Sequence, residues 1–351
     1  MMKTTLKIVF FTLMFIFLLG IRGVKANDEF TKKIKKEFAV TADPLLTVSN
    51  RFGRVQCTNW EKNSISIEVT ITVTASDQEE ADRILRQITV DFTDSPTAVK
   101  ATTNLQDSRG QGKGKFSIDY VISMPVGASL DLTNKFGDIF VNETQGKTKI
   151  TLGYGNLEAK KLANSDNTLD IKFGKARVNW MKGAVVSLKY SEMHLDYAGS
   201  LRLDSKFSDL DAEKIVALNV AFEGGKLDME RSSAVDSRSK FSDIRIRRID
   251  QSLNLDIQYG SCEVREMPAD FTSVNIRNKY GNVTVGLSDQ ARYTLDAELK
   301  FCNLEFPSEK ARFSFRSTSS TENIYRGNIG GGDNPSQKVT VHSEFGNVRL
   351  K

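Results

Sequence analysis

The sequence predicts an all-β chain: a parallel β-solenoid of about 18 residues and two short strands per coil, with an N-terminal antiparallel strand-plus-one-helix cap. Three observations predict it. Between Val186 and Val285 one phrase recurs, apolar-x-apolar-x-x-x-aromatic-x-x-apolar-x-apolar, as in Leu201, Leu203, Phe207, Leu210 and Ala212. Each half of the phrase alternates with period two, the pattern of a short strand buried on one face. The aromatic anchors Phe136, Tyr154, Phe173, Tyr190, Phe207, Phe222, Phe241, Tyr259, Tyr280 and Phe301 lie 15 to 21 residues apart. That spacing holds two strands and two turns but no helix, so the units are expected to stack ~4.8 Å apart. An antiparallel sandwich also has short strands at even spacing, yet it gives no reason to place an aromatic at the same turn of every unit.

The phase of the alternation breaks at the aromatic, so the chain must turn there. Gly or Ser usually follows (Gly137, Gly155, Gly174, Ser191, Ser208, Ser242, Gly260, Gly281), residue types that suit a bend or a positive φ. The aromatic column is expected to be the core, and Phe207→Ala to cost about 3–5 kcal/mol.

In chain order, residues 1–26 read as a secretory signal peptide: lysines at the start, an apolar run over 8–21, then Val24-Lys25-Ala26 with cleavage expected after Ala26. The run is shorter than the ~18–20 residues of a spanning helix, and no second one follows. The mature chain is therefore expected without a transmembrane segment, in the periplasm or at the cell surface, with any attachment non-covalent. Residues 27–36 are charged and read as a frayed lead-in. The phrase occurs once in isolation at Leu46, Val48, Phe52, Val55 and Cys57, ahead of an insertion. That insertion holds a strand over 65–73, a helix over about 77–87 behind a capping box at Ser76, two further strands, a glycine-rich tip over 106–115 and a strand over 116–124. Residues 37–128 are read as the cap and 129–351 as the repeat domain. The phrase lapses over 308–337 and returns at Val339–Leu350.

A net charge of +5 with acids and bases interspersed argues against a nucleic-acid partner. Cys57 and Cys262 take inward positions and Cys302 a turn position. The coils of Cys262 and Cys302 are two apart on this reading, about 10 Å and too far for a bridge, so three free thiols are expected. His194 and His342 point outward without a metal-ligand cluster, and neither a metal nor a cofactor is expected. Asp138, Glu192, Asp209 and Asp243 share one turn slot and could line up as a carboxylate column. Asn156, Asn282, Asn303 and Asn347 fill the same slot, as a turn requires and acid–base chemistry does not. The expectation is a protein that is not an enzyme.

Phe-Gly-Asp-Ile (136–139), Tyr-Gly-Asn-Leu (154–157), Tyr-Gly-Asn-Val (280–283) and Phe-Gly-Asn-Val (345–348), behind a signal peptide, resemble a bacterial exported family of β-strand-repeat domains. That family is labelled putative adhesin and is related to autotransporter-adhesin heads. The resemblance spans about residues 37–351. It implies a surface or envelope binding module and brings no catalytic residues. Phe-Ser-Asp at Phe207 and Phe241 departs from the motif in turn chemistry.

The residue before each aromatic should face outward, and it is Lys135, Lys172, Lys189, Lys206, Lys240, Lys279 and Lys300, with Arg51 in the isolated copy. Such a stripe could meet a repeating anion, an acidic glycan or lipopolysaccharide of the cell envelope. Alternatively, the acids three residues on could neutralise it as a solvated surface. Two other readings are an envelope structural or stress-associated component without its own ligand, and a polysaccharide-acting β-helix enzyme. The pattern implies no particular oligomer.

Overall fold

The structure is a computed structural model that describes residues 28–106, 115–331 and 335–351. The described residues are nearly all β-strand, with one α-helix, and the strands join one large, mostly parallel sheet. The expected signal peptide and most of the glycine-rich tip lie outside the described residues.

The parallel pairing follows the repeat. Glu192–Lys206 pairs with the start of Asp209–Gln258 so that Met193 meets Leu210, Leu195 meets Ala212 and Leu203 meets Val220. Equivalent residues in this region are 17 apart, as in the bond from Ser191 N–H to Ser208 Oγ. In-register pairing sets like on like, so Val186, Leu203 and Val220 form one buried column and Leu195 and Ala212 another. Burying a branched aliphatic side chain is worth roughly 1.5–3 kcal/mol, and the interior repeats that gain unit after unit.

The aromatic anchors are not this core. Tyr154, Phe173, Tyr190, Phe207, Phe241, Tyr259, Tyr280, Phe301 and Phe345 are all exposed, from 43% at Tyr280 to 64% at Phe241. From Phe173 onward the anchor itself takes the left-handed backbone conformation, with φ near 49–58°. That swings its side chain outward beside the preceding residue, usually a lysine, so two consecutive residues face water and the phase break is absorbed there. The following Gly or Ser turns inward, where space is short. A Cβ on Gly174 would lie 1.9 Å from the carbonyl oxygen of Gly155 in the preceding unit. The serines brace the same corner: Ser191, Ser208 and Ser242 donate to the carbonyls of Lys189, Lys206 and Lys240 at 2.7–2.8 Å. In the earliest units Gly53, Gly137 and Gly155 carry the positive φ instead, as expected.

Phe222 is not an anchor either. It pairs with Ser205, two positions before the corner, and is 2% exposed in the interior. Gly224, at φ 72°, occupies the anchor position of that unit.

The N-terminal lead-in is ordered. Asp28–Ala39 runs antiparallel along the whole of Ser64–Ala75, with Phe30, Ile34 and Phe38 against the core. Lys32 and Lys36 alternate with these three on the same side of the strand, and that mixture hides the strand in the sequence. The helix Gln78–Arg86 is capped by Asp77, whose side chain accepts from Glu80 N–H at 2.9 Å, one residue later than the pattern suggests. The isolated copy seats directly on the array: Leu45–Phe52 pairs in parallel with Ser129–Phe136, and Phe52 meets Phe136.

The C-terminal unit does not come last in space. Gln337–Glu344 lies between Ser273–Lys279 and Tyr293–Lys300, parallel to both. Glu322–Ile329 and Ala311–Thr318 then close that end antiparallel. The units of Cys262 and Cys302 are accordingly three apart rather than two, because the strand Val348–Leu350 intervenes. Cys57 and Cys262 are buried free thiols and Cys302 is a half-buried one.

Candidate binding surface

The outward corner carries a ladder of rings. Phe52, Phe136, Tyr154, Phe173, Tyr190 and Phe207 stack in turn with centroids 4.9–5.4 Å apart and planes within 12°. A second run, Phe241, Tyr259, Tyr280, Phe345 and Phe301, stacks at 4.9–5.2 Å with planes within 8°. Phe116 closes one end edge-on against Phe52 at 5.2 Å. Parallel pairing imposes this spacing, because a ring at the same position of every unit repeats at the strand separation. Each ring contact adds about 0.5–1.5 kcal/mol.

Beside the rings runs the column predicted to be lysine. The structure places all seven lysines there, six exposed and Lys172 half-exposed. It also shows what separates them. Lys172 meets Lys189, Lys189 meets Lys206, and Lys206 meets Glu223. Lys279 sits between Gln258 and Glu344, and Lys300 also meets Glu344. Lys135 lies beside Gly153, since Tyr154 pairs with Phe136. Of the seven lysines, Lys172, Lys189 and Lys206 are the three that follow one another in the stack.

The neutralising partners differ from those expected. Lys172 pairs with Asp170 at 3.1 Å, Lys206 with Glu223 at 3.1 Å and Lys279 with Glu344 at 3.4 Å. The bond that Lys206 donates to the Glu223 carboxylate raises the Lys206 pKa above its ordinary value. Lys135 and Lys279 lie over their own neighbours' rings, Phe136 at 5.5 Å and Tyr280 at 5.8 Å. Among the described residues no ion pair is made by Lys189 or Lys240. Anchoring the column on Phe222 conceals Glu223. Counting 17 residues from Lys206-Phe207-Ser208 leads instead to Glu223-Gly224-Gly225 and finds it. Glu344 stands before Phe345 as the lysines stand before their rings.

The turn acids tie unit to unit. Asp138 accepts from Asn156 N–H at 2.8 Å, Asp209 from Lys226 N–H at 2.8 Å and Asp243 from Ser261 Oγ at 2.6 Å. Asn347 accepts from Asn303 N–H at 3.0 Å in the same way, and Glu192 pairs with Lys175 at 2.7 Å. A shallow groove of 370 Å³ lies between the rings and this acid row, lined by Phe173, Tyr190, Phe207, Ser191, Glu192 and Asp209. His194 sits between Asp196 and Asp211 at 3.0 and 3.3 Å, and His342 is 3.6 Å from Glu298. Among the described residues no cluster of three His, Cys, Asp or Glu side chains could hold a metal ion. No helix among them is long and apolar enough to cross a membrane.

No protein-family model matches the chain, and no curated protein matches it. Solved structures align along most of its length at low similarity. A "putative cell adhesion protein" from Clostridium sporogenes is 10% identical, with a TM-score of 0.21 over 92% of this chain and 99% of that one. A "putative adhesin" from Bacteroides fragilis is 12% identical, with a TM-score of 0.27 over 91% and 97%. A "putative lipid binding protein" from Parabacteroides distasonis is 9% identical, with a TM-score of 0.25 over 91% and 97%.

Proposed function

We propose that this chain is an exported, non-catalytic binding module of parallel β-solenoid architecture, an adhesin-like protein that holds a repeating anion of the cell envelope along its lysine column. The reading takes residues 37–128 as the cap of the stack, with the strand Asp28–Ala39 laid along it, and the signal peptide from the sequence. The motif resemblance to exported adhesin-like repeats supports it. The observation that carries it is the run Lys172, Lys189 and Lys206, consecutive in the stack, exposed for the most part, and centred on a lysine without an ion pair among the described residues. Cations about 4.8 Å apart repel one another, by ~1 kcal/mol per pair even in water. A polyanion such as an acidic glycan or lipopolysaccharide offsets that repulsion, and its repeating charges add weak contacts into useful avidity.

Polygalacturonate and neutral dextran, titrated calorimetrically against the purified protein, test the reading. Binding to the acidic polymer alone is expected, falling steeply with salt. Lys172→Gln, Lys189→Gln and Lys206→Gln combined should abolish it while the melting temperature holds. Salt-independent binding, or binding unaffected by the triple change, defeats the proposal. The pairs Lys206–Glu223 and Lys279–Glu344 favour a second reading, an envelope structural component whose stripe neutralises itself. Absence of binding to any anionic polymer would support that one.

A further inference from the structure

Among the described residues the ring ladder is broken once. Phe207 and Phe241 are 34 residues apart, two units of 17, and Gly224 occupies the step between them. Neither of these two rings stacks on the other. Their separation is two strand spacings, about 10 Å. Every other step of the ladder holds a phenyl or phenol ring at 4.9–5.4 Å. Within each run the rings cover one another's faces, and Phe301 ends its run stacked on one face; at Gly224 two faces look into one gap. Phe241, on one side of the gap, is the most exposed ring of the ladder at 64%.

The missing ring is local rather than a break in the backbone. Gly224 has φ 72°, in the same left-handed region as the anchors on either side, Phe207 at 49° and Phe241 at 53°. The Phe207 ring leans toward the gap: a Cβ on Gly224 would be 2.9 Å from its Cδ1, and its spacing from Tyr190, 5.4 Å, is the longest in the ladder. On the other rim stands Lys240, exposed and without an ion pair among the described residues, while Glu223 is held by Lys206 at 3.1 Å.

We infer that the gap at Gly224 is a docking slot for one aromatic side chain of a protein partner, entering between the Phe207 and Phe241 rings with an acidic neighbour toward Lys240. The slot's dimension argues for a flat ring, since each equivalent step is filled by Phe or Tyr with planes within 12°. The charge at Lys240 argues for the acidic neighbour. Parallel stacking on both faces is the geometry aromatic pairs favour when offset. The site shares Lys240 with the lysine column but does not use the adjacent pair Lys172 and Lys189.

The test uses the full chain with ring-labelled phenylalanine, followed by NMR. The probes are the blocked dipeptides acetyl-Trp-Asp-amide and acetyl-Leu-Asp-amide, with methyl β-glucoside as a sugar. Assignment comes from Phe207→Leu and Phe241→Leu. The Trp probe is expected to shift the Phe207 and Phe241 resonances saturably and the Leu probe to leave them in place. Phe241→Leu, an exposed change that leaves the interior alone, should weaken the Trp probe about two- to tenfold by removing one ring face. Gly224→Phe should complete the ladder and abolish binding. Equal shifts at all ladder rings, binding that survives Gly224→Phe, or a response to the sugar but not to Trp would each overturn the inference. Lys172→Gln combined with Lys189→Gln, which leaves the Lys206–Glu223 pair beside the slot intact, should weaken the anionic polymer and keep the Trp response, so failure here is separable from failure of the anion reading.

Discussion

Two columns of the same stack, built by the same repeat and the same parallel pairing, stand on opposite sides of the backbone. Val186, Leu203 and Val220 lie inside, sealed from water, and Tyr190 and Phe207 lie outside, stacked but wet. Both are periodic and apolar, so periodicity alone does not separate a core from an ornament. The backbone does: a positive φ at the corner, on the anchor from Phe173 onward and on the glycine after it in the earlier units, turns the ring out and leaves the aliphatic side chains in. Energy should divide accordingly, with large losses inside and small ones outside.

The strongest way to break the comparison is to cut the interior. Leu203→Ala should cost about 2–5 kcal/mol in a denaturant melt, because its stacked neighbours cannot collapse into the cavity. A loss under ~1 kcal/mol would mean the column is not the core. Next comes the small residue at the corner. Gly174→Ala should cost about 1–3 kcal/mol, since its Cβ would press within 1.9 Å of the Gly155 carbonyl oxygen. An unchanged midpoint would show that the corner has slack.

Interior burial also has a pH signature. Desolvation pushes the Cys57 and Cys262 thiols up to about 12 from an ordinary 9.0. A folded pKa raised above the unfolded one favours the unfolded chain once that chain ionises. Stability from these thiols is thus complete below pH 9 and declines as pH rises toward 12, by at most about 1.4 kcal/mol per pH unit for each. Melts of Cys57→Ala across that window should show a shallower decline; a parallel curve would contradict the burial. In native protein at about pH 8, half-buried Cys302 should alkylate first by intact mass, with the other two protected until unfolding.

The outer column is the gentler test. Phe207→Ala should lower stability by about 0.5–1.5 kcal/mol, the worth of the ring contact with Tyr190, rather than the ~3–5 kcal/mol of a buried ring. A larger loss would mean that the exposed ladder carries the fold. The smallest effect belongs to the charges: Lys206→Gln should move the melting temperature scarcely at all, because water screens an exposed pair such as Lys206–Glu223. A clear drop in the melting temperature would assign the lysine column to stability instead of binding.

Much of this is legible in the residues. Period-two alternation marks the strands, the aromatic marks the corner, and Ile65 to Val73 and Ala81 to Ile88 announce the strand and helix of the N-terminal region. The outward direction of the lysines follows from the same alternation. Asp28–Ala39 escapes because lysines share its core-facing side with Phe30, Ile34 and Phe38. The candidate surface is half legible: seven lysines can be named, but not that three of them alone are adjacent.

By itself the sequence determined which residues are equivalent, because a repeat states its own register wherever its spacing stays even. Three matters were decided only in three dimensions. The side on which the rings lie depends on a positive φ at the corner, at the anchor from Phe173 onward and at the following glycine in the earlier units, which no apolar pattern records. The neighbour of each lysine depends on where each unit turns its corner, and Phe222 misleads there: it meets Ser205 inside, while Gly224 takes the corner. The position of Gln337–Glu344 between two earlier strands depends on a long-range pairing, because hydrogen bonds along a strand edge are satisfied by whichever partner fits and not by chain order.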